Sequence, residues 1–119
     1  MKRLIVALLL GIGGAVALAG GWSGTYSLAG GTVGVTNTQA NSSWVPVSVM
    51  VKLTAPMSGT VEIWRVSEEH SFMLGNCSFT NASSVVWTPD AAYPFGLGDA
   101  LVIRSSVTNA VVQIIRKGD

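Results

Sequence analysis

Between residues 44 and 54 the chain reads WVPVSVMVKLT, and its aliphatic residues fall on every second position. Val45, Val47, Val49, Val51 and Leu53 therefore share one face of an extended strand, with Trp44, Pro46, Ser48, Met50, Lys52 and Thr54 on the other. Pro46 has no N–H to give a neighbour, which predicts an edge position or the opening residues of the strand. The segment Ala55-Pro56-Met57-Ser58-Gly59 has turn chemistry, and TVEIWRVS at 60–67 follows as a second strand, so the two are expected to form a hairpin. Val61 and Ile63 point one way along it, Trp64 and Val66 the other.

Further strands are predicted at 25–28, 32–36, 71–74 and 84–87. A closing hairpin of ALVIRS (100–105) and AVVQIIR (110–116) turns around Val107-Thr108-Asn109, and TPDAAYPFGLGD between 88 and 99 reads as a long loop. About seven to eight short strands with no helical period after residue 20 predict an all-β fold, a small antiparallel β-sandwich or barrel preceded by an apolar N-terminal arm. The organisation is an apolar leader over 1–20, a glycine-rich link over 21–31 and a β-domain over 32–119.

The leader has the layout of a secretory signal: Lys2 and Arg3, an apolar run, then Ala17-Leu18-Ala19 before Gly20. As a helix, residues 4–19 would reach about 24 Å at 1.5 Å per residue, short of the roughly 30 Å of a bilayer's hydrocarbon core. If retained, the segment is expected to bury Leu4, Ile5, Leu8, Leu9 and Ile12 against another subunit or a membrane, because apolar surface is expelled from water.

Composition narrows the function classes. Charged residues are 11% of the 119, against about a quarter in an average soluble domain. So little charge gives weak protection against association and points to a subunit of an assembly. The net charge is +1 and its carriers are scattered, so no cationic stripe is available for phosphates and nucleic acid is not an expected partner. Cys77 is the single cysteine, so an intrachain disulfide is impossible.

Candidate chemistry is sparse. Any Ser-His-Asp or Cys-His arrangement must use His70, and no nucleophile elbow accompanies it. A reverse turn would be needed to bring Cys77 near it. Asp90 and Asp99 bracket the long loop, where acidic residues commonly form turns. One histidine, one cysteine and dispersed acids make no zinc set, and the glycine clusters lack the strand-before and helix-after context of a phosphate loop. No catalytic residue, cofactor or metal is expected. The aromatic residues remain. Trp64 and Trp87 are expected in the core, whereas Trp22, Trp44 and Tyr93, with Met50, are candidates for contact with a partner or a sugar.

The segments WVPVSVMVKLTAPMSGTVEIWRV and GDALVIRSSVTNAVVQIIRK resemble in texture the accessory β-domains of bacteriophage particles, such as cement, decoration and minor capsid proteins. That resemblance implies a non-enzymatic virion component that binds neighbouring capsid or tail subunits and stabilises or decorates the particle. The alternative expectation is an exported bacterial β-sandwich, periplasmic or at the cell surface after signal cleavage, that binds carbohydrate or a surface partner through exposed tryptophans.

Overall fold

The computed structural model describes residues 22–118, and these are all-β. Six strands follow in chain order: β1 (Trp22–Ser27), β2 (Thr32–Thr36), β3 (Trp44–Ser67), β4 (His70–Trp87), β5 (Ala100–Ser105) and β6 (Ala110–Gly118). They form one antiparallel sheet of order β1-β6-β3-β5-β2, with β4 along the other side of β3. The sheet curls into a half-barrel.

Among the described residues there are six strands, two of them long, where seven to eight short ones were expected. Residues 44–54 and 60–67 are not the two arms of a hairpin; they are the two halves of the 24-residue β3. Likewise 71–74 and 84–87 are parts of the 18-residue β4. A straight strand of 24 residues would reach about 80 Å at roughly 3.3 Å per residue. The longest extent of the molecule is 40 Å, so β3 must bend. Its ladder to β4 shifts register between Lys52 and Met57 and again between Met57 and Gly59, over the segment that the turn chemistry marks. Bulges relieve a long strand by adding residues on one side, which kinks it without ending it.

The closing hairpin is corrected for the same reason. β5 and β6 do not pair with each other: β5 lies against Val61–Val66 of β3 and β6 against Trp44–Leu53. They run end to end along one side of β3, with 106–109 between them opposite the bend. β1 and β2 repeat this on the outside, β1 against β6 and β2 against β5. The fold is thus four antiparallel ribbons (β1–β2, β5–β6, β3, β4), all creased at one level. The crease passes through 28–31, 106–109, 54–60 and 80–83. Ser106 and Thr60 are tied across it, the Ser106 amide donating to the Thr60 carbonyl at 3.0 Å. Gly31 takes φ +81° there, a left-handed conformation that favours glycine, and its carbonyl accepts from Ser105 at 2.7 Å.

Folding along the crease makes two leaves that share one core. The first contributes Val49, Val51, Leu53, Val112, Ile114 and Trp87; the second Val35, Val61, Ile63, Phe79, Leu101 and Ile103. Leu28 is buried at the crease itself. Contact between the leaves is close at β4. A Cβ built on Gly75 in the second leaf would lie 2.7 Å from Cδ1 of Trp87 in the first. These residues are twelve apart in one strand, about 40 Å if extended, so the strand has folded back over itself.

Alternation in the first half of β3 holds for Val49, Val51 and Leu53, and fails at Val47, which is 40% exposed. Pro46 pairs with Arg116 and Ser48 with Ile115, so Val47 is an extra residue in a bulge. One inserted residue reverses the parity of the positions before it, so Val45, expected inward, leaves the core cluster although it remains buried, at 4% exposure. Trp44 accordingly turns inward and is 3% exposed. Pro46 sits beside the bulge, where β3 is paired to β6 alone.

Candidate functional site

Opposite the crease the two leaves would gape, and residues of the 88–99 segment close part of that mouth. Phe95 is fully buried and its ring stacks on Trp44, with centroids 4.7 Å apart and planes within 5°. Their backbones are also bridged: the Trp44 amide donates to the Phe95 carbonyl at 3.2 Å and the Phe95 amide to the Trp44 carbonyl at 2.8 Å. Two cations bracket the ring pair. The Arg116 guanidinium carbon lies 4.9 Å from the Trp44 centroid and that of Arg65 lies 5.7 Å from the Phe95 centroid. Such contacts gain strength where water is excluded. Burial lowers the Arg116 pKa, and the charge of Tyr26 partly opposes that shift.

Asn37 holds this closure in place. Its side-chain amide donates to the carbonyls of Ser42 at 2.9 Å and Phe95 at 2.8 Å, and its Oδ1 accepts from the Gln39 amide at 2.9 Å. Its backbone donates to the Asp99 carbonyl and accepts from the Gly98 amide. A buried amide with its donors and acceptor used in this way fixes three loop segments to one another.

Asp99 completes the mouth. It accepts from Ser67 Oγ at 2.7 Å, from the Gly96 amide at 2.9 Å and from Arg65 at 3.1 Å. Burial by itself would raise the Asp99 pKa, but Ser67, Gly96 and Arg65 together outweigh it and hold the carboxyl below its ordinary value. A depressed carboxylate pKa adds stability that is present above the unfolded value near 4 and is lost as pH falls through the folded value. The destabilisation caused by Asp99→Asn, read from thermal melts, should therefore be largest near neutrality and shrink below about pH 4.

Beside this closure an open depression of about 440 Å³ is lined by Arg65, Ser67, Glu68, His70, Phe72, Leu97, Gly98 and Asp99. Its apolar rim is exposed, with Phe72 at 51% and Leu97 at 61%. His70 lies here, its ring centroid 6.2 Å from that of Phe72. Cys77 is seven residues further along the same strand, about 20 Å for an extended chain, so no reverse turn brings the two together. Burial raises the Cys77 thiol pKa, which lowers its thiolate fraction. Asp90 and Asp99 have separate partners, Asp90 accepting from the Tyr93 hydroxyl and thereby raising the tyrosine pKa.

The longest uncovered feature is β4. Its 18 residues pair with β3 on one side, and among the described strands nothing pairs with the other. Met73 and Val86 are exposed on it at 44% and 56%, and Phe72 projects into the depression. None of the 18 residues is Lys, Arg, Asp, Glu or Pro.

The contact residues expected from the sequence separate on this fold. Trp44 is corrected from a surface residue to a core residue, because the Val47 bulge reverses its parity. Met50 is half-buried on the outer face of the first leaf, between Val86 and Gln113. Tyr93 is half-buried against the core. Trp22 opens β1. Leu4, Ile5, Leu8, Leu9 and Ile12 lie outside the described residues. Trp87 is in the core as expected, whereas Trp64 is corrected to the outer face of the second leaf, where its Nε1 donates to Glu62 at 3.0 Å and Arg104 lies over its ring at 5.4 Å. Phe95, Asn37 and Asp99 were not foreseen as a group, since each sits in a polar or proline-rich segment with no periodicity to mark it. A scan of protein-family models returns no match for this chain, and neither does a search of curated proteins.

Proposed function

We propose that this chain is a non-enzymatic interaction protein, a component of a virion that binds neighbouring capsid or tail subunits and stabilises or decorates the particle. The observation that carries the reading is β4, an 18-residue strand with one edge unpaired among the described residues and with exposed Phe72, Met73 and Val86. An unpaired edge presents a row of backbone donors and acceptors for a partner strand, and flanking side chains supply selectivity. Low overall charge favours the same role, because it leaves association unopposed. In this reading the β-domain is a rigid tile and residues 1–19 are its tether to the assembly. The carbohydrate-binding alternative would rest on Trp22 and Trp64, with Trp44 and Trp87 in the core and one ring face of Trp64 already taken by Arg104.

Gradient sedimentation of native source material, with mass identification of each fraction, tests the proposal. The chain should travel with a large particle; recovery of the native chain only as a free monomer would overturn it. Deleting residues 1–19 should abolish incorporation while leaving the thermal transition of the β-domain in place, and unchanged incorporation would remove the tether from the reading.

A further inference from the structure

We propose that the partner strand for β4 is the β1–β2 edge of a second copy of this chain, so that copies join head to tail into a continuous sheet. The inference rests on the interaction role above and names its partner.

Three observations point to a second copy. The first is where charge sits. Every Lys, Arg, Asp or Glu within a described strand is on β3, β5 or β6, the central ribbons: Lys52, Glu62, Arg65, Arg104, Arg116 and Lys117. The edge strands β1, β2 and β4 have none, and no proline. Proteins that keep their edges apart place charge and proline on them. Here the arrangement is inverted, and among the described residues both edges are left unpaired and free of charged side chains.

The second is direction. Each of the four ribbons is antiparallel to the next, so the β1–β2 ribbon and β4 run in opposite senses at the two sides of the sheet. A second copy in the same orientation brings its β1–β2 edge to β4 as one more antiparallel neighbour. The third is the crease. The β1–β2 ribbon bends at 28–31 and β4 at 80–83, on one level, so β1 of the second copy faces 84–87 and β2 faces the 70–79 part of β4. A partner strand without that bend would follow only one leaf. Contact between two different patches makes a heterologous interface, which closes a ring or continues as a filament.

The test uses the 119-residue chain in sedimentation velocity over a range of concentrations. Wild type should associate as concentration rises. One variant carries Ser71→Lys and Ser78→Lys on β4, another Thr25→Lys and Thr36→Lys on β1 and β2; all four positions are exposed. Each variant alone should show at least tenfold weaker association, and an equimolar mixture should form a one-to-one pair, since each retains the edge the other lacks. A wild type that stays monomeric overturns the inference, and so does association that neither variant weakens. A Thr25/Thr36 variant that associates like wild type would mean that β4 pairs with β4, which also overturns it. So would a mixture that stays monomeric.

Hydrogen exchange on wild type gives a readout that does not depend on the variants folding. Amides of β4 and of β1–β2 should both gain protection in concentrated samples, and protection on β4 alone would refute the head-to-tail arrangement. Co-sedimentation with a particle despite failure of these tests would remove the self-pairing and leave the interaction role standing.

Discussion

Phe95→Ala should lower the unfolding free energy by about 3–5 kcal/mol, the usual range for deleting a buried aromatic ring. Phe95 is fully buried, stacked on Trp44 and flanked by Arg65, so its removal opens a cavity at the mouth and strips one face of the tryptophan. Domains of this size are stable by roughly 5–15 kcal/mol, so the loss is a large share of the total. At about 4–8 °C per kcal/mol, the midpoint of thermal unfolding should fall by on the order of 15–30 °C. Leu97→Ala, two residues away and 61% exposed, should change it little, within about 0.5 kcal/mol. Equal effects from the two substitutions would show that the 88–99 segment does not close the core.

Gly75→Ala should cost about 1–3 kcal/mol by overpacking, although glycine in a strand is ordinarily the weaker choice. The added methyl would meet Cδ1 of Trp87 at 2.7 Å and Cε2 at 3.0 Å, and Trp87 is 9% exposed with little room to withdraw. Because this contact joins the two leaves, it reports directly on the crease. Trp87→Leu should be destabilising alone, yet in its presence the cost of Gly75→Ala should fall to near zero, a coupling that a double-mutant cycle of denaturant melts would measure. Additive effects would mean that the two residues do not touch and that β4 is not folded over the core.

Much of the β-structure was legible in the chain. Alternation placed Val49, Val51 and Leu53 inward, and with them Leu101 and Ile103, and Val112 and Ile114, because a period of two needs no knowledge of the partner strand. The positions of the breaks were legible too. APMSG and the polar stretch around Val107-Thr108-Asn109 lie where β3 bends and where β5 gives way to β6. Their meaning was not legible. Turn-forming residues specify that the chain leaves straight extended geometry, and whether it then reverses or merely bends depends on which strand accepts its backbone hydrogen bonds.

The same limit applies to the candidate site. Nothing local distinguishes Val47 from Val45 or Val49, yet the register of β6 makes it the extra residue of a bulge and sends Trp44 into the core. Phe95 becomes the stacking partner of Trp44 through a bridge across 51 residues, and Asn37 becomes the tie between loops through carbonyls it cannot know in sequence. Read alone, the chain marks most of the strand-forming segments but not 75–83, most of the inward rows but not the break at Val47, and the places where extended geometry bends, since these follow from side-chain period and local backbone preference. Only the tertiary arrangement makes the breaks align into one crease, closes the mouth on Phe95 and leaves the charges that fall within the described strands on the central ribbons. Those outcomes depend on register and long-range hydrogen bonding, which exist only once the strands have met.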